Sequence, residues 1–206
     1  MFTPLETFKR YSFFAFIFFS ACQNISAQNK TYRDSILSYR RSYVNTHDVV
    51  GKDDRRYIQF YPIDESMRVL ASFERIADKK GFDMATASGI KQKYFRYGLL
   101  TFKIHDSLTH LYVYQSASLM KQKKYEDYLF VPFGDATSGY ESYGGGRYLD
   151  FTTSDIKDNK LLIDFNKAYN PYCAYTTGYN CPIPPKENLL TVAIPAGEKN
   201  YGKPVH

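Results

Sequence analysis

The sequence predicts a mostly β protein: a single antiparallel β-barrel or sandwich of about eight strands, preceded by one helix. Three observations support this prediction. Aromatic residues make up 17% of the chain, with 20 Tyr and 16 Phe, and aromatic side chains favour the half-buried surface of a sheet. Short alternating apolar runs follow one another along most of the chain. Helical spacing of apolar residues occurs once, near the N-terminus.

The first 28 residues have the pattern of a targeting signal and are not expected to belong to the fold. Two basic residues precede an apolar run at 11–21, which is shorter than the about 20 residues that cross a bilayer. Two processing routes fit. Either a signal peptidase cleaves near Ala27 or Gln28, or Cys22 becomes the lipidated N-terminus of a lipoprotein. Both routes predict export, to the periplasm or to a membrane-tethered position in the cell envelope.

The cysteine count predicts one disulfide. The chain has three Cys, and cleavage or lipidation accounts for Cys22, which leaves Cys173 and Cys181. Two cysteines in an oxidising compartment form a disulfide by default. Closing a loop this short stabilises the fold by roughly 2–3 kcal/mol in the chain-entropy model.

A helix is predicted over 31–45, at the start of a single β-rich domain that covers 30–203. Four apolar residues there repeat at spacings of four, three and four: Tyr32, Ile36, Tyr39 and Tyr43. This spacing places them on one face of a helix, and we expect the helix to pack that face against the domain.

Eight strands are predicted after the helix. They are 56–61, 67–75, 97–104, 111–115, 128–133, 147–151, 161–165 and 189–194. The turn at 105–107 makes the third and fourth of these a hairpin. Pro132 in the fifth predicts an edge strand or a strand end, because proline cannot donate a ladder hydrogen bond. The segment 81–89 is predicted to be the longest mobile loop.

The charge pattern excludes some classes of partner. The formal net charge is +6, and its one local cluster is Lys121, Lys123 and Lys124. This cluster fits a phosphate or lipid head group, but a solvated loop is the commoner outcome. No nucleic-acid partner is expected, because no Cys/His finger, RNA-binding strand or basic helix is present. A membrane is expected only through a lipid on Cys22, and no pattern specifies an oligomeric state.

Candidate site residues concentrate in the last third of the chain. The glycines at 144–146 lack the Lys-Ser/Thr of a phosphate loop and predict a hinge or bulge before a strand. Arg147 follows them, and it can bind a carboxylate of a ligand or that of Asp164. Asp164 and Asn166 are two residues apart on a predicted strand and share one face. They form either part of a site or a strand-end turn.

A long irregular loop is predicted over 167–188, because Pro171 and three later prolines interrupt regular structure. The disulfide and the prolines make this loop rigid, and a rigid loop loses little entropy when it binds. It carries four candidate ligand-binding residues: Tyr169, Asn170, Glu187 and Asn188. The loop forms a wall of the site or, alternatively, closes one end of the barrel.

No catalytic template is complete. The four His residues lack metal-ligand spacing, no G-x-S-x-G motif is present, and export disfavours a reactive thiol at Cys173. No metal and no cofactor are therefore expected. General acid–base chemistry stays open for Asp164 with Glu187 or Asp135, if their carboxyl groups lie about 5–9 Å apart.

Four C-terminal motifs resemble a known family. YGGGRYLD, IDFNKAYNPYCAY, CPIPPKENLL and IPAGEK occur in this order and resemble the bacterial family catalogued as domain of unknown function 1684, in an exported form of the Bacteroidetes type. The resemblance covers about residues 30–203. It implies one exported domain and no established activity. It directs attention to Arg147, Asp164, Asn166, Asn170, Cys173, Cys181, Glu187 and Asn188.

These patterns lead to three functional hypotheses. The first is a cell-envelope module that binds a small polar or anionic ligand through the candidate residues around Arg147, with tyrosine rings stacking on the ligand. The second is a hydrolase-like enzyme that uses Asp164 or Glu187 as general acid or base. The third is a purely structural envelope protein, in which the same polar residues form an internal hydrogen-bond network.

Overall fold

The computed structural model describes residues 30–204. The predicted targeting signal, with Cys22, lies outside this range. The described residues belong to two compact units, and the boundary between them in the chain falls between Ser42 and Tyr43. A helix covers 30–45, close to the predicted 31–45. No helix in the described part of the chain has the length and hydrophobicity to cross a membrane.

The second unit is built on one antiparallel sheet of seven strands. They are β1 Arg68–Arg75, β2 Phe82–Met84, β3 Gln92–Ile104, β4 Ser107–Ser116, β5 Tyr128–Phe133, β6 Arg147–Thr152 and β7 Lys160–Asp164. The order across the sheet is β6-β5-β4-β3-β1-β7, with β2 beside β3. Because β6 and β7 are opposite ends of this order, the sheet is a curled half-barrel. The prediction of a closed barrel is wrong, and the described residues show no sandwich.

Short 3-10 helices connect the strands. They are Lys52–Tyr57, Glu65–Met67, Leu119–Lys121, Lys123–Tyr125, Thr153–Asp155, Phe165–Lys167, Tyr172–Ala174 and Lys186–Asn188. The predicted Lys cluster falls in two of them, and the predicted loop over 167–188 contains only such short turns. That loop is therefore irregular, as predicted.

Six of the eight predicted strands are present, including the hairpin of β3 and β4. The strand predicted for 56–61 is wrong, because Ile58 and Tyr61 are buried three residues apart after a 3-10 helix. The strand predicted for 189–194 is also wrong, because Leu190 and Ile194 are buried four residues apart in irregular backbone. The segment 81–89, predicted as a loop, contains β2.

The main hydrophobic core lies on one face of the sheet. Every second residue of β5 points into it, and Leu129, Val131 and Phe133 are fully buried. The C-terminal segment supplies a second set of buried core residues: Phe165, Ala168, Leu190, Ile194 and Ala196. This irregular segment therefore covers the face that the open sheet would otherwise expose.

The opposite face carries a second group of packed side chains, here called the aromatic cluster. Its members are Phe82, Met84, Tyr94, Tyr112, Tyr114, Tyr128, Phe130, Tyr148 and Tyr169. An antiparallel sheet commonly leaves one face polar and solvated. The aromatic cluster departs from that pattern, which makes this part of the sheet a candidate binding surface.

A β-bulge in β3 allows one strand to serve both faces. The register with β4 shifts between Arg96 and Gly98, so Arg96 lies on the side of the aromatic cluster and Leu100 lies in the main core. Gly98 is essential to this arrangement, since a Cβ there would meet the ring of Phe73 and lie 2.8 Å from the carbonyl oxygen of Glu74.

We predict that Gly98→Ala lowers the free energy of unfolding by about 2–3 kcal/mol, because overpacking a filled interior costs that order of energy. Urea denaturation followed by circular dichroism measures the change. Gly51→Ala is the matched control, since no heavy atom lies within 4 Å of a Cβ at that position. Equal midpoints for the two variants would contradict the packing argument.

Candidate functional site

Arg147 is fully buried, and its described partners are internal. Its Nη2 donates to Oδ2 of Asp135 at 2.6 Å, so the intramolecular partner is Asp135 rather than the predicted Asp164. The guanidinium also donates to three carbonyl oxygens of the C-terminal segment, those of Ile194, Ala196 and Glu198. The second oxygen of Asp135 accepts from the backbone N–H of Thr137 at 2.7 Å.

Asp164 and Asn166 form the strand-end turn that was one of the two expectations for them. Oδ1 of Asp164 accepts from the backbone N–H and the side-chain amide of Asn166, both at 3.1 Å. Asn166 in turn bonds to both backbone groups of Asp64, at 3.0 Å and 2.7 Å. The two side chains therefore join the end of β7 to the segment before β1.

Glu187 lies at the other end of the sheet from Asp164. It accepts two hydrogen bonds from Arg96, at 2.8 Å and 3.0 Å, and one from the hydroxyl of Tyr114 at 2.7 Å. Asp164 lies opposite Arg68 in the ladder between β7 and β1, at the start of β1. About eight residues of β3 separate these positions, or about 26 Å at the rise of a strand, so Asp164 and Glu187 do not form the predicted acid–base pair.

The side chain of Asn188 bridges β4 and β5 where their ladder is incomplete. β4 and β5 are in register only at Tyr114 and Phe130, and the side chain of Asn188 lies beside this pair. Its Oδ1 accepts from the N–H of Tyr112 at 2.8 Å, and its Nδ2 donates to the carbonyl oxygens of Tyr112 and Pro132 at 2.9 Å and 2.8 Å. Pro132 has no N–H, and its carbonyl oxygen accepts from the side-chain amide of Asn188. β5 is an inner strand rather than an edge strand, and it ends one residue after Pro132.

Asn170 belongs to a third internal network, centred on Glu198. The backbone N–H of Asn170 donates to Oε2 of Glu198 at 2.9 Å, and its side chain donates to the carbonyl of Lys199 at 2.7 Å. The hydroxyl groups of Tyr43 and Tyr175 also donate to Glu198. Burial raises the pKa of Glu198 to about 7, although these donors favour the ionised form. Glu198 was not predicted, and only its place in the IPAGEK motif pointed to it.

The predicted disulfide between Cys173 and Cys181 is confirmed, with 6.3 Å between the Cα atoms. The residues around it are attached to the loop that follows β2. The N–H of Ala87 donates to the carbonyl of Cys181 at 2.8 Å, and the hydroxyl of Tyr148 donates to the carbonyl of Pro182. The disulfide loop therefore borders the aromatic cluster.

Asp150 is an exposed residue beside the aromatic cluster. It lies on β6, where its Oδ1 accepts from the hydroxyl of Tyr128 at 2.6 Å and its Oδ2 from the hydroxyl of Tyr169 at 2.7 Å. The residue as a whole is exposed, yet the surrounding side chains desolvate its carboxyl group and raise its pKa. No Lys, Arg or His within residues 30–204 forms an ion pair with Asp150.

Aromatic rings surround this carboxylate. The ring centroids of Tyr148 and Tyr169 are 5.8 Å apart with planes at 89°, and those of Phe130 and Tyr148 are 4.8 Å apart with planes at 74°. Burial also raises the pKa values of the Tyr128 and Tyr169 hydroxyls. Both hydroxyls therefore stay protonated at neutral pH, so each can donate to Asp150.

Two surface grooves lie elsewhere. The larger, of about 560 Å³, lies over β1 and β3 and is lined by Leu70, Leu108, Lys103 and Lys160 among others. The smaller, of about 350 Å³, has the backbone of the glycines at 144–146 as part of its lining. Among the described residues, no group of three or more His, Cys, Asp and Glu side chains is placed to hold a metal ion.

The structure thus divides the predicted site residues among separate places. Arg147, Asp164, Asn166, Asn170 and Asn188 hold the chain together through internal hydrogen bonds, and Glu187 is paired with Arg96. Only Tyr169 reaches the exposed carboxylate. Asp150, Tyr128 and Tyr148 were not predicted, and the signal for them was an Asp that alternates with aromatic residues in the Tyr-Leu-Asp-Phe sequence of β6.

Comparison with known proteins identifies the class to which this chain belongs. The chain is a member of the family described as protein of unknown function (DUF1684), whose profile matches residues 55–199. This result confirms the family resemblance, while the exported, Bacteroidetes-type form stays a prediction.

A solved structure is also similar. It is the solution NMR structure of the uncharacterized protein from gene locus rrnAC0354 of Haloarcula marismortui, with 28% sequence identity and a TM-score of 0.59. The similarity covers 87% of this chain and 96% of that one. Comparison with curated proteins gives no match.

We predict that Glu198 makes stability fall as the pH rises. Its pKa of about 7 in the folded protein lies above the ordinary value of 4.5, so the folded state binds the proton more tightly than the unfolded state. Between these two values the free energy of unfolding should fall by about 1.4 kcal/mol per pH unit. The fall should stop above the folded pKa.

Urea denaturation of wild type and Glu198→Gln at about pH 5 and about pH 8 measures this contribution. Wild type should lose about 3 kcal/mol more than the variant across this range. Glu126→Gln serves as control, since Glu126 is exposed. Parallel pH curves for wild type and Glu198→Gln would show that Glu198 titrates normally.

Proposed function

We propose that this protein is an exported cell-envelope module that binds a small polar ligand at Asp150, between Tyr128 and Tyr169. One observation carries the proposal: Asp150 is an exposed carboxylate, held by two tyrosine hydroxyls within an aromatic cluster. Binding sites for small molecules combine apolar and aromatic walls with a few oriented polar groups. The other polar side chains singled out in the C-terminal third are buried or already paired.

The tyrosine hydroxyls orient the carboxylate and define what it can bind. Each oxygen of Asp150 accepts one hydrogen bond from a tyrosine, and an ionised carboxylate has about four acceptor positions in total. A ligand must therefore bring hydrogen-bond donors, such as hydroxyl or ammonium groups. An anionic ligand is disfavoured here, because the nearby Arg96 is neutralised by Glu187.

Rigid support around the cluster favours a binding role. The disulfide between Cys173 and Cys181 restrains the loop whose Pro182 carbonyl accepts from Tyr148. Tyr169 is held against β6 by two backbone hydrogen bonds with Tyr148. A preorganised site loses little conformational entropy when a ligand binds.

Two features support export. The pattern of residues 1–28 is that of a signal peptide or a lipoprotein signal that ends at Cys22. The disulfide is the second, since disulfides form and persist in oxidising compartments such as the periplasm.

Intact-mass measurement of protein produced in a host that exports it tests this part of the proposal. We predict a mature chain that begins after the signal, near Ala27 or Gln28 or at an acylated Cys22, with a mass two hydrogens below that of the reduced chain. Cys22→Ser separates the two routes, because it removes only acylation. An unprocessed, fully reduced chain would contradict export.

We predict that Asp150→Asn weakens binding of donor-bearing ligands by at least about tenfold, because hydrogen bonds to a charged group contribute about 1.5–3 kcal/mol. NMR titration with hydroxylated and amine compounds, and with sulfate and acetate, measures affinities and maps shifts. Asp106→Asn is the matched control, since Asp106 is an exposed aspartate in the turn between β3 and β4. Shifts caused only by the anions, or equal effects of the two variants, would refute the proposed site.

A further inference from the structure

The geometry points to a primary ammonium group as the part of the ligand that Asp150 binds. This inference rests on the proposed function and names the chemical class of its ligand. Its basis is a contrast with two carboxylates that arginine side chains bind. Asp135 is paired with Arg147 at 2.6 Å, and Glu187 is paired with Arg96 at 2.8 Å. Asp150 has two tyrosine hydroxyls and no cation.

The lack of a cationic partner matters because the Asp150 carboxylate is partly desolvated. A carboxylate that gives up part of its hydration is costly unless a charged partner compensates for it. Asp135 and Glu187 have that compensation from arginine within the chain. For Asp150 the described chain supplies only neutral donors, Tyr128 and Tyr169. The missing positive charge is therefore one that a ligand can bring.

The basic residues near this face do not supply that charge. Lys124 lies over the ring of Tyr125, with 5.1 Å between Nζ and the ring centroid. Tyr125 contacts Tyr128 edge to face at 6.2 Å, so Lys124 is separated from Asp150 by two rings. Arg96 is held over the ring of Phe82 and in its ion pair with Glu187.

The aromatic surroundings favour a cation over a neutral hydroxyl group. The faces of tyrosine and phenylalanine rings carry negative electrostatic potential, which attracts an ammonium group within about 6 Å. An ammonium group also has three donors and no acceptor, which matches a carboxylate whose free positions only accept. Its hydrogen bond to Asp150 would have a charge on both partners, so a direct Coulomb attraction between unlike charges would add to the hydrogen bond, and a hydroxyl group lacks this attraction.

Matched pairs of probes test the inference. Glucosamine and glucose differ in an ammonium and a hydroxyl group, as do ethanolamine and ethylene glycol, and N-acetylglucosamine keeps the nitrogen without the charge. The protein carries ¹³C-labelled aspartate, so NMR titration reads the Asp150 carboxyl resonance directly. We expect each amine to bind at least about tenfold more tightly than its neutral partner. We also expect bound amine to shift the titration of Asp150 to lower pH.

Variants separate the charge from the shape of the site. Asp150→Asn should remove the preference for amines, and Asp106→Asn should leave it unchanged. Tyr169→Phe keeps the ring and removes one donor to Asp150, so the preference should persist or increase, since the carboxylate then has fewer donors. A preference that survives Asp150→Asn would place the ammonium elsewhere and overturn the inference.

The outcomes distinguish this inference from the proposed function. If the neutral compounds bind at Asp150 as tightly as the amines, the ammonium inference is wrong and the polar binding site stands. If no compound shifts the Asp150 resonance at up to about 50 mM, an affinity weaker than about 2 kcal/mol, both are refuted. If only the amines shift it, and they do so in Asp106→Asn as well, both are supported.

Discussion

The buried ion pair of Arg147 and Asp135 is the interaction on which the rest of this fold depends. Arg147 is the first residue of β6, and its guanidinium donates to three carbonyl groups between Ile194 and Glu198. Removing either partner would leave an uncompensated charge in the interior, a change that typically costs 3–5 kcal/mol. The pair therefore fixes where the irregular C-terminal segment crosses the open sheet. Ile194 and Ala196 close the main core from that position.

Polar residues in this protein divide into two groups by the face of the sheet that they serve. On the side of the main core and at the strand ends, Arg147, Asn166 and Asn188 bond to backbone groups that lack strand partners, as a half-closed sheet requires. Buried polar groups need hydrogen-bond partners, and these three side chains find theirs mainly within the protein. On the other face, Asp150 accepts from two tyrosines and keeps free positions. The segments that are dense in polar residues therefore form internal hydrogen-bond networks. The candidate site is instead built on one carboxylate, that of Asp150, among aromatic residues.

Apolar patterning was sufficient to predict six strands, with alternation in β1 and β3 and short apolar runs in the others, because each of these strands supplies residues to the main core. It failed at 56–61 and 189–194, where Ile58, Tyr61, Leu190 and Ile194 are buried at spacings of three and four in irregular backbone. The disulfide followed from counting cysteines. The partner of Arg147 could not be predicted in this way, because Asp135 lies in a separate loop. Only the fold brings its Oδ2 to 2.6 Å from Nη2 of Arg147. Asp150 escaped prediction for a related reason. Cross-strand pairing sets it opposite Phe130, two residues along β5 from Tyr128, and the isolated bridge between Tyr148 and Tyr169 brings Tyr169 to the same strand.

The position of the core-closing residues along the chain has a consequence for how the protein is made. A ribosome delivers Ile194, Ala196 and Glu198 after every strand of the sheet, so the sheet lacks its cover until the segment after β7 has been synthesised. Contacts between residues far apart in sequence also slow folding, because the intervening loop must close first. The nascent chain should therefore stay unfolded until that segment has been made, and an unfolded chain is the state that a narrow protein-conducting channel accepts. Late closure of the core would keep such a chain competent for passage until the residues that cover the sheet are available.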